Sequence, residues 1–181
     1  MKIILIGIQG SGKSTQGNLL SEKLKIPYLS SGHIFREMAK EKSKWGRYVK
    51  ETLSAGHLIP DDKTIPIIEE YLKKPQYQRG YILDGFPRTV VQAQSFRDTI
   101  DYVIYLLVSD EEALHRLSLR NNKEHREDDT QSSIKKRIAL FHRFTEPVLE
   151  YYRQKGILVE VDGQRAIVII HEDIVSRIFH G

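Results

Sequence analysis

The first fifteen residues, MKIILIGIQGSGKST, constrain the fold more than any other stretch of the chain. An apolar run over residues 3–6 meets a loop with glycines at 7, 10 and 12, and Lys13, Ser14 and Thr15 open an amphipathic stretch. This is the complete G-x-x-x-x-G-K-S/T spacing. It predicts a buried strand, a phosphate-cradling loop and a helix over residues 15–24. Backbone N–H groups converge on a phosphate only where no side chain stands between them, and glycine allows that. The candidate phosphate site is therefore Gly10, Ser11, Gly12, Lys13, Ser14 and Thr15. The helix that follows aims its N-terminal dipole and free N–H groups at the anion, and Lys13 adds a point charge. A hydroxyl at Ser14 or Thr15 can meet a phosphate oxygen or Mg²⁺. The plainer alternative is a flexible glycine turn beside a solvated lysine, and its place directly after an N-terminal apolar strand argues against it.

Four more apolar runs follow, at 26–29, 80–83, 102–108 and 156–161. Helical stretches alternate with them. One carries His33 and Arg36, and a polar one within 41–60 is broken by Gly56 to Pro60. Another runs over 63–73 and would be capped by Asp61 or Asp62, and others lie at 110–120, 132–152 and 166–178. Pro147 should kink the long one. Trp45 reads as packing rather than chemistry. This alternation predicts an α/β protein: one domain with a doubly wound five-stranded parallel sheet, helices on both faces, P-loop NTPase-like. Ser31 and Arg36 follow the second strand and Asp84 ends the third. Ligands of open α/β sheets bind at such junctions. A helix cap with a surface arginine, and a plain Asp-Gly turn, are the alternatives there. The P-loop upstream favours Mg²⁺ at Asp84, directly or through water. Arg116 and Arg120 lie at i,i+4 and share a helix face. Arg137 stands beside an apolar stripe, where it can point into a cleft, and residues 121–129 form a polar connector.

Composition narrows the classes further. With 40% hydrophobic and 29% charged residues, the 181-residue chain suits an ordinary globular domain. The absence of cysteine excludes disulfides and cysteine-ligated zinc and fits a reducing compartment. No apolar run is long enough for a signal h-region or a membrane span, so a cytoplasmic protein with no membrane partner is expected. A net charge of +4 and a pI near 9.2 point to anionic partners. Nucleotides account for this without nucleic acid if the arginines converge on one cleft.

Six segments now point to a family: GIQGSGKSTQ at 7–16, LSSGHIFRE at 29–37, GHLIP at 56–60, DGFPRT at 84–89, the R-x5-R-x-DD run at 120–129 and KKR at 135–137. The chain resembles the adenylate kinases, among the nucleoside monophosphate kinases, almost end to end. The resemblance implies Mg²⁺-dependent transfer of the γ-phosphoryl of ATP to AMP, giving two ADP. It implies a core over 1–29, 80–120 and 130–181, a monophosphate-binding segment over 30–60 and a short lid loop over 121–129.

By the same resemblance, Gly10 to Thr15 would hold the ATP phosphates. Arg116 would stack on the ATP adenine, and the backbone near Arg165 would contact it. The AMP site would comprise Ser31, Arg36, His57, Leu58, Ile59, Gly85, Phe86, Pro87, Arg88 and Gln92, with Arg36 and Arg88 on the phosphate and the Gln92 amide on the adenine edge. Lys13 and Arg88 would be catalytic, while Arg120, Arg126 and Arg137 would close over the transferring group. Asp84 would order Mg²⁺ through its waters, and Asp128 and Asp129 would hold the closed lid. The lid is too short for a separate zinc-bearing domain, and short-lid members are monomers. Three positions depart from the family pattern: Gln9 for proline, Ser14 for glycine and His33 for aspartate.

The acceptor in such a reaction is a phosphate oxygen already ionised at neutral pH, so no general base is needed. Many arginines and no His–Asp pair in these motifs suit that chemistry. A UMP/CMP-type kinase is the nearest rival. Its members carry asparagine where this chain has Gln92 and alanine where it has Ser31, so AMP is expected. A nucleotide-switch binding module is the other alternative, but it has no need of two facing phosphate sites.

Overall fold

The structure, a computed structural model, describes residues 1–121 and 130–180. Five strands form one sheet: β1 (Lys2–Ile6), β2 (Tyr28–Ser30), β3 (Tyr81–Asp84), β4 (Tyr102–Leu107) and β5 (Leu158–Asp162). Their order is β2-β3-β1-β4-β5 and every pairing is parallel. Each expected strand is present. β1 is central, and Ile3 to Ile6 are at most 3% exposed, as an unbroken apolar strand covered on both faces should be.

Side chains alternate between two cores. Ile3, Leu5, Ile82, Ile104 and Leu106 pack under α1 (Lys13–Leu24) and α9 (Ile167–His180), meeting Leu20, Ile170 and Ile174. Ile4, Ile6, Leu83, Val103 and Tyr105 face the other way. There they meet Ile68 of α4 (Asp61–Leu72), Ala93 of α5 (Val90–Ser95), and Val148 and Leu149 of α8 (Glu146–Gln154). Each buried isoleucine or leucine contributes about 1.5–3 kcal/mol relative to exposure. Register brings Leu5 and Ser30 level with Asp84, so β1, β2 and β3 end together. The chain leaves β1 for strands on one side first and returns to β4 on the other. The carboxyl end of β1 is thus the switch point where ligands sit.

Local structure differs from expectation in four places. The helix expected over 132–152 is divided into α7 (Gln131–Leu140), a π-helical turn at Phe141–Thr145, and α8. Pro147 stands in the first turn of α8 and has no N–H for the carbonyl four residues back, so the wider turn falls N-terminal to it. Neither Asp61 nor Asp62 caps α4. Pro60 precedes the helix without a side-chain cap, and both acids lie in its first turn, where the dipole favours them. Within 41–60 only α3 (Lys44–Ser54) is helical, capped by the Ser43 hydroxyl. The short helix α5 was not expected; Thr89 starts it, accepting from the Gln92 N–H.

Ser30 caps α2 (Ser31–Met38), accepting from the His33 N–H. Trp45 stacks on Tyr48 and packs against Phe35, Val49 and Ile59, which is a packing role. Among the described residues no helix is long and apolar enough to cross a membrane.

Candidate active site

The loop after β1 lies flat against α6 (Asp110–Asn121). Gly10 adopts φ 91°, and a Cβ there would stand 2.7 Å from the carbonyl of Ala113. Only glycine satisfies both the left-handed backbone and the close approach. α1 begins at Lys13 with no side-chain cap, so its first amides face the loop rather than a capping oxygen. Lys13 Nζ donates to the carbonyls of Gly7 (2.7 Å) and Ile8 (2.9 Å). In this state the lysine braces the loop that it serves.

Asp84 lies 5% exposed at the end of β3. Its Oδ2 accepts from the Tyr28 hydroxyl at 2.6 Å, while Oδ1 is buried with no hydrogen-bond partner. Burial, and then the neighbouring carboxylate, push the Tyr28 hydroxyl well above its ordinary pKa, so it remains a donor. A buried carboxylate oxygen without a partner is costly unless a cation or water meets it. Ser14 and Asp84 border the same space. This pairing of a hydroxyl with an orphaned carboxylate oxygen suits hydrated Mg²⁺. Among the described residues no group of three His, Cys, Asp or Glu side chains gathers as a metal site.

Arginines line the same space. Arg88 donates from Nε to the Gly85 carbonyl (2.7 Å), and Arg137 donates to the Leu53 carbonyl (2.9 Å). Burial presses the Arg88 guanidinium below its usual pKa; Asp84 opposes that, while Arg137 and Arg36 add to it. Three cations drawn this close favour an anion between them. Gly85 makes the turn possible. Its φ is 80°, and a Cβ would meet the Ser31 hydroxyl at 2.5 Å. That hydroxyl donates to the Gly85 carbonyl at 2.8 Å.

One cavity of about 810 Å³ joins these features. Residues 10–15, Arg116 and Arg165 line it, and so do Asp84, Arg36, His57, Leu58, Gly85, Pro87, Arg88 and Arg137. Ser31, Ile59 and Gln92 line a narrow recess of about 30 Å³ beside it. Phe86 is the exception. It is fully buried and packs edge-on against Phe96 at 5.2 Å, so it supports the loop from behind and does not border either space. Arg116 is held by Glu112 (2.6 Å) and Arg165 by Asp173 (2.5 Å). The side chain of Arg120, and Arg126, Asp128 and Asp129, lie outside the described residues, as does the expected lid. His33 is exposed, with its side chain off the cavity lining.

Sequence reasoning missed several residues that shape the site. Tyr28 holds Asp84 from the edge strand. Thr145, within the π turn, donates to the carbonyl of Arg88 at 2.9 Å and borders the cavity. Gln16, 1% exposed, donates to the Ile167 carbonyl and borders it too. Asp61 and Thr89 hold Gln92. No spacing signals Tyr28, Gln16, Asp61 or Thr145, because each acts across the fold, whereas Thr89 stands at capping distance, three residues before Gln92.

A glycine-rich loop on the central strand, an acid on the next strand and arginines lining the same cavity define a P-loop protein of the nucleotide phosphotransferase class. The model of one family, described as adenylate kinase, matches residues 5–157. Proteins named adenylate kinase align over almost the whole chain. One from a Cyanothece species is 38% identical over 99% of this chain and 93% of its own length. One from Azobacteroides pseudotrichonymphae is 37% identical over 98% and 97%. One from Staphylococcus aureus is 31% identical over 99% of this chain and all of its own; that alignment runs over 214 residues, so it carries residues with no counterpart here. The chain belongs to the adenylate kinase family.

Proposed function

We propose that this protein transfers the γ-phosphoryl of Mg·ATP to AMP, reversibly, giving two ADP, and works as a cytoplasmic monomer without zinc or nucleic acid. The observation that carries the reading is the single cavity running from the P-loop, past Asp84, to Arg36, Arg88 and Arg137. The P-loop and the arginine group would each take an anion within it, as direct transfer between two nucleotides requires.

ATP phosphates would lie on the amides of residues 10–15, with the donor base near Arg116 and Arg165. The AMP phosphate would meet Arg36 and Arg88, and its base would enter the recess at Gln92, bordered by Ser31 and His57 to Ile59. That recess is smaller than a purine, so residues 53–59 must part from residues 85–92 to admit it. Lys13 would exchange its loop carbonyls for phosphate oxygens. Asp84 and Ser14 would hold hydrated Mg²⁺, which supplies charge neutralisation on the ATP phosphates. Arg137, with Arg120 and Arg126, would close on the transferring group, and Asp128 and Asp129 would hold the lid shut against water. The acceptor oxygen is already ionised, so the chain's own work is positioning and charge compensation.

The test is ADP formation from Mg·ATP with AMP, beside UMP, CMP and GMP. Rapid turnover with AMP supports the reading. Turnover with UMP or CMP in its place overturns the acceptor, and ATP binding without transfer to any acceptor overturns the reaction.

A further inference from the structure

We infer that Asp61 is a positioning residue for base recognition: it fixes which way round the Gln92 amide stands, and so separates adenine from guanine at the acceptor site. The inference rests on the acceptor reading above and deepens it.

Gln92 is 2% exposed, and both ends of its amide are held. Oε1 accepts from the backbone N–H of Arg88 at 2.7 Å. Nε2 donates to Asp61 Oδ1 at 2.8 Å, across 31 residues of sequence. The other Asp61 oxygen accepts from the Thr89 hydroxyl at 2.9 Å, and Thr89 Oγ1 in turn accepts from the Gln92 backbone N–H at 3.1 Å. A backbone N–H can only donate, and an ionised carboxylate can only accept. A reversed amide would therefore set hydrogen against hydrogen at Arg88 and oxygen against oxygen at Asp61. The orientation follows from the chemistry of the two neighbours, so it does not depend on telling oxygen from nitrogen in the amide.

An amide has two N–H groups and two strong lone pairs. One of each is spent here, leaving one donor and one acceptor at the edge of the recess bordered by Gln92. Adenine presents a donor at N6 beside an acceptor at N1. Guanine presents an acceptor at O6 beside a donor at N1, the inverse pattern. An amide free to turn complements both bases. One that is locked complements one and opposes the other. With AMP as the acceptor, the locked sense is the adenine one.

Asp61→Asn keeps the shape and replaces an acceptor-only group with one that can also donate; Asp61→Ala removes the partner. The readout is kcat/KM for AMP and for GMP with Mg·ATP, together with KM for ATP. The preference for AMP over GMP should fall about tenfold in either variant, since a hydrogen bond to a charged group no longer opposes the turned amide. Arg88 still opposes it, so the loss is partial, and KM for ATP should not move. An unchanged ratio in whichever variant folds, or equal losses for both acceptors, overturns the inference. A wild-type protein that prefers UMP or CMP overturns the acceptor reading itself, which keeps the two failures apart.

Discussion

Arg88 carries the sharpest expectation for a single side chain. Its guanidinium is buried and feels the charges of Asp84, Arg137 and Arg36, so its removal should damage the proposed acceptor end alone. Arg88→Ala should lower kcat/KM for AMP roughly a hundredfold or more, the worth of a forked, charge-assisted contact. The Kd for ATP, measured by calorimetry, should change little. Equal losses for both nucleotides would contradict the placement. Tyr28→Phe tests the other side of the site. Without the hydroxyl, both oxygens of a buried carboxylate lack partners, at about 1–3 kcal/mol. The Mg²⁺ concentration for half-maximal rate should shift, with a modest fall in Tm; an unchanged Mg²⁺ dependence would remove Tyr28 from the site.

These two residues also mark what could be read from the chain. Arg88 was legible because it sits in a contiguous DGFPRT run next to a strand. Tyr28 was not, because a tyrosine in a three-residue edge strand looks like packing until the fold brings its hydroxyl to Asp84. Phe86 shows the reverse: lying within a motif drew it into the expected site, while its apolar ring packs in the core.

Secondary structure elements obey a different logic. The strands were legible because each is a short apolar run closed by a turn, and burial on both faces demands that pattern. The π turn was not. Pro147 announced a break, but the widened turn falls where the missing N–H is felt, one turn upstream. That displacement puts Thr145 on the cavity wall and His142 on its outer side. His142 is held by Asp110 of α6 (2.9 Å) and Glu146 of α8 (3.1 Å). Hydrogen bonding to Asp110 first, then to Glu146, raises its pKa above the ordinary 6.5. The protonated form is thus favoured by folding. Its contribution is complete below pH 6.5 and is lost as pH rises through the elevated folded value. The melting temperature should therefore slope downward above pH 6.5, and His142→Gln should flatten that part of the curve; an identical slope would dissociate the link from stability. The P-loop gives the second expectation at this scale. Gly10→Ala forces a Cβ onto the Ala113 carbonyl and into a left-handed backbone. The sheet should survive, as judged by circular dichroism, while ATP binding is lost. Retained ATP affinity would show that α6 can withdraw from the loop.

For the whole molecule, the class of fold was legible and the strand order was not, since alternation of strand and helix is compatible with several orders. The order matters because it sets β3 and β4 on either side of β1, the strand whose loop lines the cavity. A cavity that takes two ligands at once should let each of them stabilise the fold. ATP at a hundred times its Kd should add about 2.7 kcal/mol, or roughly 5–11 °C in Tm for a chain of this size. AMP should add its own increment when both are present without turnover, as with a non-hydrolysable ATP analogue. A mixture that raises Tm no further than the better single ligand would mean that the two nucleotides compete for one place.

A last consequence follows from how residues 53–57 meet residues 133–137. Arg137 donates to the Leu53 carbonyl, Lys136 contacts His57 at 2.8 Å, and Gly56 lies so near Ser133 that a Cβ would stand 2.8 Å from its carbonyl. Residues 53–57 are thereby fastened to the helix bearing Arg137. Occupancy on one side therefore perturbs the lattice of contacts that poises the other, and the two equilibria become thermodynamically linked. Heterotropic effects of this kind are reciprocal: the factor by which the ATP analogue changes AMP affinity must equal the factor by which AMP changes the analogue's. Paired titrations should return one common factor different from unity, and loosening the fastening with Lys136→Ala should bring that factor closer to one.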